Sequence, residues 1–216
     1  MQIELSAVVP VPLRDRIRQR PSDIWDREVA FQPGQFVKIK APSGTGKTTL
    51  VHYLYNIRYD YTGTIKAGGK PWRDYSAAQL AAIRQENISV VFQDLRLFDQ
   101  LTAEENIELK RVMNNKPLYP AGKIREFAEQ LGVTHVLGQS AATLSYGERQ
   151  RIAIIRALMQ PFQWLMMDEP FSHLDEGNTA KAAQLIGQEC RARNAGFILT
   201  DLDHDQHFNY EVTYQL

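Results

Sequence analysis

A single cysteine, Cys190, is the only thiol in the 216-residue chain, and one thiol closes no intramolecular disulfide. Stability must then come from an apolar core, as suits a reducing compartment. Cys190 itself reads as a helix residue with no chemistry. No stretch approaches the roughly 20 consecutive apolar residues of a spanning helix. Met1 to Arg20 carries charges where a secretory leader needs an apolar run. Net charge is missing too: 25 Lys+Arg stand against 25 Asp+Glu. That leaves no dominant basic face of the kind that nucleic acid or an anionic lipid surface selects. These absences lead to the expectation of a soluble, cytoplasmic protein. It should have no nucleic-acid partner and no direct membrane insertion, any membrane contact coming through another protein.

Internal repeats, low-complexity tracts and long linkers are absent as well, so the length fits one domain or one core with a smaller lobe. Ile3 to Val9 reads as a strand, and the basic, proline-containing stretch Val11 to Ser22 as a loop. Phe36 to Lys40 predicts a strand that runs into a glycine-containing loop and a helix from Lys47. Tyr61 to Ile65, with the Gly68-Gly69 turn, predicts a small antiparallel layer. Ile88 to Phe92 is another apolar strand. From Leu101 to Arg156 the pattern is helical: Thr102-x-x-Glu105 has capping-box spacing, and Ile124, Phe127 and Leu131 share a face. Strands return at Trp164–Met167, Phe197–Thr200 and Val212–Leu216, with a helix near Asn178–Ala192. The alternation predicts an α/β fold, a mostly parallel sheet flanked by helices with a helical lobe inserted.

Ala41-Pro42-Ser43-Gly44-Thr45-Gly46-Lys47-Thr48, followed by Thr49, joins a predicted strand to a predicted helix. In that context the glycines turn backbone N–H groups onto phosphate oxygens, and the helix N-terminus adds partial positive charge. Lys47 would neutralise the β- and γ-phosphates, and the Thr48 hydroxyl would ligate Mg²⁺. The first position of this P-loop pattern is normally glycine; Ala41 fits there if its φ is negative. The second element is the apolar run Trp164 to Met167 ending in Asp168-Glu169. It would set two carboxylates at the sheet edge beside the loop. Asp168 would hold the metal through its water shell, and Glu169 would orient or deprotonate an attacking water.

Leu144-Ser145-Tyr146-Gly147-Glu148 precedes that strand and resembles the Leu-Ser-Gly-Gly-Gln signature of the ABC-transporter ATP-binding subunits. Gln93 looks like their Q-loop residue, and Ser172-His173-Leu174-Asp175 like their D-loop. The motifs run in the family's order from about Gln35 to Thr200. The resemblance implies one nucleotide-binding domain over residues 1–216. Residues 1–93 and 157–216 would form the α/β core, and 94–156 a helical signature subdomain. It also implies an ATPase with ATP and Mg²⁺ as cofactors, a homodimer formed on ATP binding, and an integral-membrane permease as partner. Ser145 (with its hydroxyl free), Gly147 and Asp175 would serve the nucleotide of the other subunit, and Gln93 would sense the nucleotide and its metal. Val91 to Phe98 and Leu101 to Ile107 further resemble the branch serving lipoprotein release, cell division and macrolide export.

Three positions depart from the family. Tyr146 and Glu148 stand where the signature has Gly and Gln; the tyrosine is expected to crowd the phosphate site, while Glu148, three residues after Ser145, has the capping-box spacing that starts a helix. Asp201 stands where the family has a histidine, with His204 three residues on as the other candidate for that role. No aromatic precedes Lys47 at the spacing where relatives stack adenine; Trp25 lies closer and reads as core. The alternative to an ATPase motor is therefore a slow or non-hydrolysing ATP-gated clamp. A chromosome-structuring ATPase is disfavoured, because Thr48 to Leu144 carries no sustained heptads.

Overall fold

The computed structural model describes residues 1–17, 19–42, 44–113, 116–202 and 207–216. Its smaller sheet is antiparallel. It consists of β1 (Ile3–Pro10), β2 (Glu28–Phe31), β4 (Tyr61–Ala67) and β5 (Lys70–Pro71) in the order β2-β1-β4-β5. Along β1 buried and half-buried residues alternate, because one face packs on the core and the other meets water.

The larger sheet is parallel, in the order β6 (Ile88–Val91), β7 (Trp164–Asp168), β8 (Gly196–Asp201), β3 (Phe36–Lys40), β9 (Val212–Gln215). It is flanked by helices, and its central strands are largely apolar and buried. Trp164 to Met167 are completely buried. Each such side chain contributes about 1.5–3 kcal/mol by leaving water. Strand β3 pairs in parallel with β8 and β9, and β8 with β7. Their carboxyl ends, Lys40, Asp168 and Asp201, therefore meet along one edge. That edge is where an open parallel sheet binds ligands.

Seven helices are described. The short α1 (Arg14–Ile17) follows β1, α2 (Lys47–Leu54) follows β3, and α3 (Ala77–Glu86) precedes β6. Between β6 and β7 come α4 (Ala103–Val112), α5 (Gly122–Gln130) and α6 (Tyr146–Leu158). Helix α7 (Glu176–Ala192) links β7 to β8. Ile124, Phe127 and Leu131 are buried together with Ile107, Ile152 and Ile155, which joins the inserted helices into one core. Cys190 lies fully buried on α7, and burial pushes its thiol up to about 12.

The α/β class, the antiparallel layer and the inserted helices match the sequence reading. Two elements go beyond it. Ser76 and Gln79 form a full capping box that starts α3. The stretch read as a loop folds at Val11–Leu13 and Arg14–Ile17 into a 3₁₀ turn and a turn of α-helix.

Candidate functional site

Strand β3 delivers the chain into the 41–46 loop at the ligand-binding edge. Ala41 is 1% exposed and donates its N–H to the Asp201 carbonyl at 3.1 Å. It is not among the residues of positive φ, so alanine replaces the expected glycine there without strain. Gly46 has no such freedom. Its φ is 107°, and a Cβ would come within 2.7 Å of a Leu13 methyl. Gly46 is the N-cap of α2 and makes no side-chain cap, so the first N–H groups of the helix stay available to an anion.

Lys47, 7% exposed, donates to the Ala41 carbonyl at 2.8 Å and pairs with Glu169 Oε1 at 3.1 Å. A cation this buried needs such partners. The Thr48 hydroxyl donates to Asp168 Oδ2 at 2.6 Å, with Gln93 Oε1 3.3 Å away. Asp168 is 1% exposed; its other oxygen accepts from the Thr200 hydroxyl at 2.5 Å. Gln93 Nε2 donates to Glu169 Oε2 at 3.4 Å. Glu169 sits at φ 50°, in the left-handed region, which for a non-glycine residue costs on the order of 1 kcal/mol. Its N–H donates to the Thr200 carbonyl at 2.9 Å, and its own carbonyl accepts from Gln150 Nε2 at 3.3 Å and the Ser172 hydroxyl at 3.2 Å. Those bonds hold the turn that aims the carboxylate at Lys47. Arg16 overhangs the loop and donates to the Gly44 carbonyl at 3.3 Å. The cleft these groups enclose measures about 290 Å³.

The other expected cluster is the N-terminus of α6, and here one expectation is corrected. The Ser145 hydroxyl is not free: it accepts from the Glu148 N–H at 3.3 Å and donates to Glu148 Oε2 at 2.7 Å. Glu148 also takes the Ser145 N–H at 2.8 Å and lies 3.3 Å from His135. The Ser145 hydroxyl and backbone hold the Glu148 carboxyl below its ordinary range. The cause is the substitution itself, since a carboxylate at the third helical position completes a capping box.

Tyr146 turns toward its own chain. Its hydroxyl donates to the Gln93 carbonyl at 2.9 Å, and its ring lies against His173 with centroids 4.1 Å apart. Gly147 allows that approach: a Cβ there would stand 3.1 Å from the His173 carbonyl. Asp175 caps α7 by accepting from the Asn178 N–H at 2.8 Å, and these bonds keep its carboxyl low.

A family profile described as ABC transporter matches residues 26–172, more than half of the chain. The chain belongs to the ABC transporter family. Among its relatives, the lipoprotein-releasing system ATP-binding protein LolD of Legionella pneumophila (strain Lens) is 31% identical over 180 residues. The match covers 83% of this chain and 78% of LolD. The dimeric bacterial ABC transporter cassette MJ0796 superposes with a TM-score of 0.79 over 93% of this chain and 88% of its own, at 23% identity. Its structure in a post-hydrolysis state with ADP and Pi superposes at 0.76 and 24% identity, with the same coverage. As an ABC family member this chain is an ATPase of the P-loop type.

In this ABC cassette the residues singled out from the sequence fall into two groups. Lys47, Thr48, Asp168, Glu169 and Gln93 converge through direct contacts. Ser145, Tyr146 and Gly147 lie at the start of α6 and Asp175 at the start of α7, and Tyr146 reaches the Gln93 carbonyl. Asp201 ends β8 beside Ala41, and its carboxylate accepts from the Leu202 N–H at 2.6 Å. His204 and Ser43 lie outside the described residues. Trp25 is core: it is 2% exposed, packs edge-on against Tyr53 and donates to the Thr45 carbonyl at 3.3 Å. Sequence reading missed Thr200 and Gln150, whose hydrogen bonds fix the two acids. Thr200 had a signal, a hydroxyl at the sheet edge one strand over from Asp168.

Proposed function

We propose that this chain binds Mg-ATP at the Lys47–Glu169 cleft, hydrolyses it, and works as a homodimer driving a separate membrane permease. The observation that carries the reading is the convergence of Lys47, Thr48, Asp168, Gln93 and Glu169 at the carboxyl edge of the sheet. The Thr48 hydroxyl, the Asp168 carboxylate and Gln93 Oε1 are hard oxygen donors, the chemistry that Mg²⁺ selects. No cluster of three or more His, Cys, Asp or Glu stands among the described residues, and phosphate oxygens and waters would complete the metal's shell. Bound with ATP, Mg²⁺ neutralises charge that develops on the phosphoryl oxygens.

The protein's own groups supply the rest. The N–H groups of Gly44, Thr45 and Gly46 and of the start of α2 would cradle the phosphates, with Pro42 and Thr49 beside them; Ser43, also expected there, lies outside the described residues. Lys47 exchanges its Glu169 partner for phosphate. Glu169, released from the ion pair, orients the water or takes its proton. Gln93 links the metal side of the site to that carboxylate. The start of α6, with Ser145 and Gly147, and Asp175 would face the nucleotide held by a second copy, and Asp201 or His204 the γ-phosphate. Residues 94–156 would act as the helical subdomain that docks the permease.

LolD is named as an ATP-binding protein of a lipoprotein-releasing system. That supports a place on the cytoplasmic face of a membrane, in the same branch of the family. No helix among the described residues is long and apolar enough to cross a membrane. The experiment is phosphate release from Mg-ATP by the purified protein. Steady release that stops with EDTA supports the motor. Tight Mg-ATP binding without release would leave the slow clamp instead.

A further inference from the structure

The segment that leaves β6 at Phe92 reverses through two consecutive left-handed residues, Leu95 (φ 58°) and Arg96 (φ 48°). Such strain persists only where neighbours enforce it. Here the neighbour is α6. Arg156, near its C-terminal end, donates Nη2 to the Leu95 carbonyl at 2.5 Å and Nη1 to the Arg96 carbonyl at 2.6 Å. Tyr146, its first residue, donates its hydroxyl to the Gln93 carbonyl at 2.9 Å. The Gln93 segment is thus tied to both ends of one rigid rod. The Tyr146 end is anchored in turn, because the ring rests on His173 and Gly147 packs within van der Waals reach of the His173 carbonyl. Gln93 reaches Thr48 with one end of its amide and Glu169 with the other, at 3.3 and 3.4 Å. Contacts that long are set by where the backbone stands.

We propose that Tyr146 is a positioning residue for hydrolysis, a clasp that fixes the Gln93 backbone and so holds the Gln93 amide between Thr48 and Glu169. The proposal rests on the reading of Thr48, Gln93 and Glu169 as the Mg-ATP site. It assigns the departure at the third signature position a task within its own subunit. The polar contact of Tyr146 is to the Gln93 backbone, so it acts through Gln93. The hydroxyl therefore tunes the chemical step, and affinity for Mg-ATP depends on the Lys47 loop.

The test is a cycle of Tyr146→Phe, Gln93→Ala and the double variant. Phenylalanine keeps the ring on His173 and removes only the donor. One net hydrogen bond corresponds to a loss in kcat of roughly fivefold, with KM for Mg-ATP within about twofold of the parent. In the Gln93→Ala background the same substitution should be silent. An unchanged kcat in Tyr146→Phe, a change confined to KM, or equal losses in both backgrounds would overturn the proposal. A second readout needs no turnover. The Gln93 side-chain amide resonances of the protein without nucleotide, assigned with Gln93→Ala, should shift or broaden in Tyr146→Phe. Unmoved resonances would sink the clasp whatever the kinetics. If the parent hydrolyses nothing, the reading of the site fails, and the resonances alone decide on Tyr146.

Discussion

The Lys47 cleft and the start of α6 are both built to meet anions, and they are built in opposite ways. In the cleft Lys47, Asp168 and Thr200 are buried, Thr48 and Glu169 half-buried, and they hold one another: Lys47 on Glu169, Thr48 and Thr200 on Asp168. At the start of α6 the groups are more exposed, and the helix terminus is satisfied by its own Glu148. A buried network is costly to perturb, because a group that loses its partner has no water to turn to. A capped, wet helix end can trade its internal carboxylate for an external phosphate at little cost. The difference fits a site in which one half is fixed and the other is offered to a partner copy.

The largest effect should come from Glu169→Gln, which keeps shape and removes the base. Phosphate release should fall by roughly 10²–10⁴, while Mg-ATP binding by calorimetry persists. A rate within tenfold of the parent would take Glu169 out of the chemistry. Next comes Lys47→Ala. Charge-assisted contacts contribute about 1.5–3 kcal/mol each, so Mg-ATP affinity should weaken by one to two orders of magnitude. Parent-like affinity in a variant whose circular dichroism is unchanged would remove the P-loop assignment.

The third prediction sets the two regions side by side. Thr200→Val leaves a fully buried carboxylate oxygen without its donor, a loss of about 1–3 kcal/mol. Ser145→Ala removes an exposed cap, a loss of about 1 kcal/mol. Urea denaturation should rank them in that order; the reverse order would mean that the buried network is not the stiffer half. The smallest effect is pH-dependent. The folded Glu148 carboxyl is depressed, so it binds a proton less readily than in the unfolded chain. Its contribution is therefore fully present above the ordinary carboxylate value and is lost as pH falls through the lower, folded value. The melting temperature of Glu148→Gln should sit slightly below the parent's at pH 7 and converge with it in acid. A gap that stays constant down to acid pH would show that the capping carboxylate is not the cause.

What could be read in advance follows the same divide. The Gly46-Lys47-Thr48 run and the Asp168-Glu169 pair were legible because phosphate chemistry demands those residues at strand ends, and the strands announce themselves by apolar runs. Around Ser145 only part was legible. The Ser145-x-x-Glu148 spacing announces the capping box that the structure forms, whereas the free hydroxyl inferred from the signature is taken up by that box. Tyr146 was expected to crowd a phosphate. Its ring lies on His173, a contact between residues far apart in sequence that no spacing rule encodes. Helix α3 was missed although its Ser76 and Gln79 carry a complete start signal, because its surface-facing residues show no apolar stripe. The turn of helix that places Arg16 over Gly44 was hidden by its prolines and basic residues.

The central claim is that the fixed half and the offered half belong to different copies of this chain when ATP is bound. Light scattering on a sizing column, with Glu169→Gln at about 20 µM, tests it most directly. The expected result is a monomer without nucleotide and a dimer with Mg-ATP, the dimer being lost when Ser145→Arg is added. A monomer under both conditions, or a dimer indifferent to ATP and to Ser145, would contradict it.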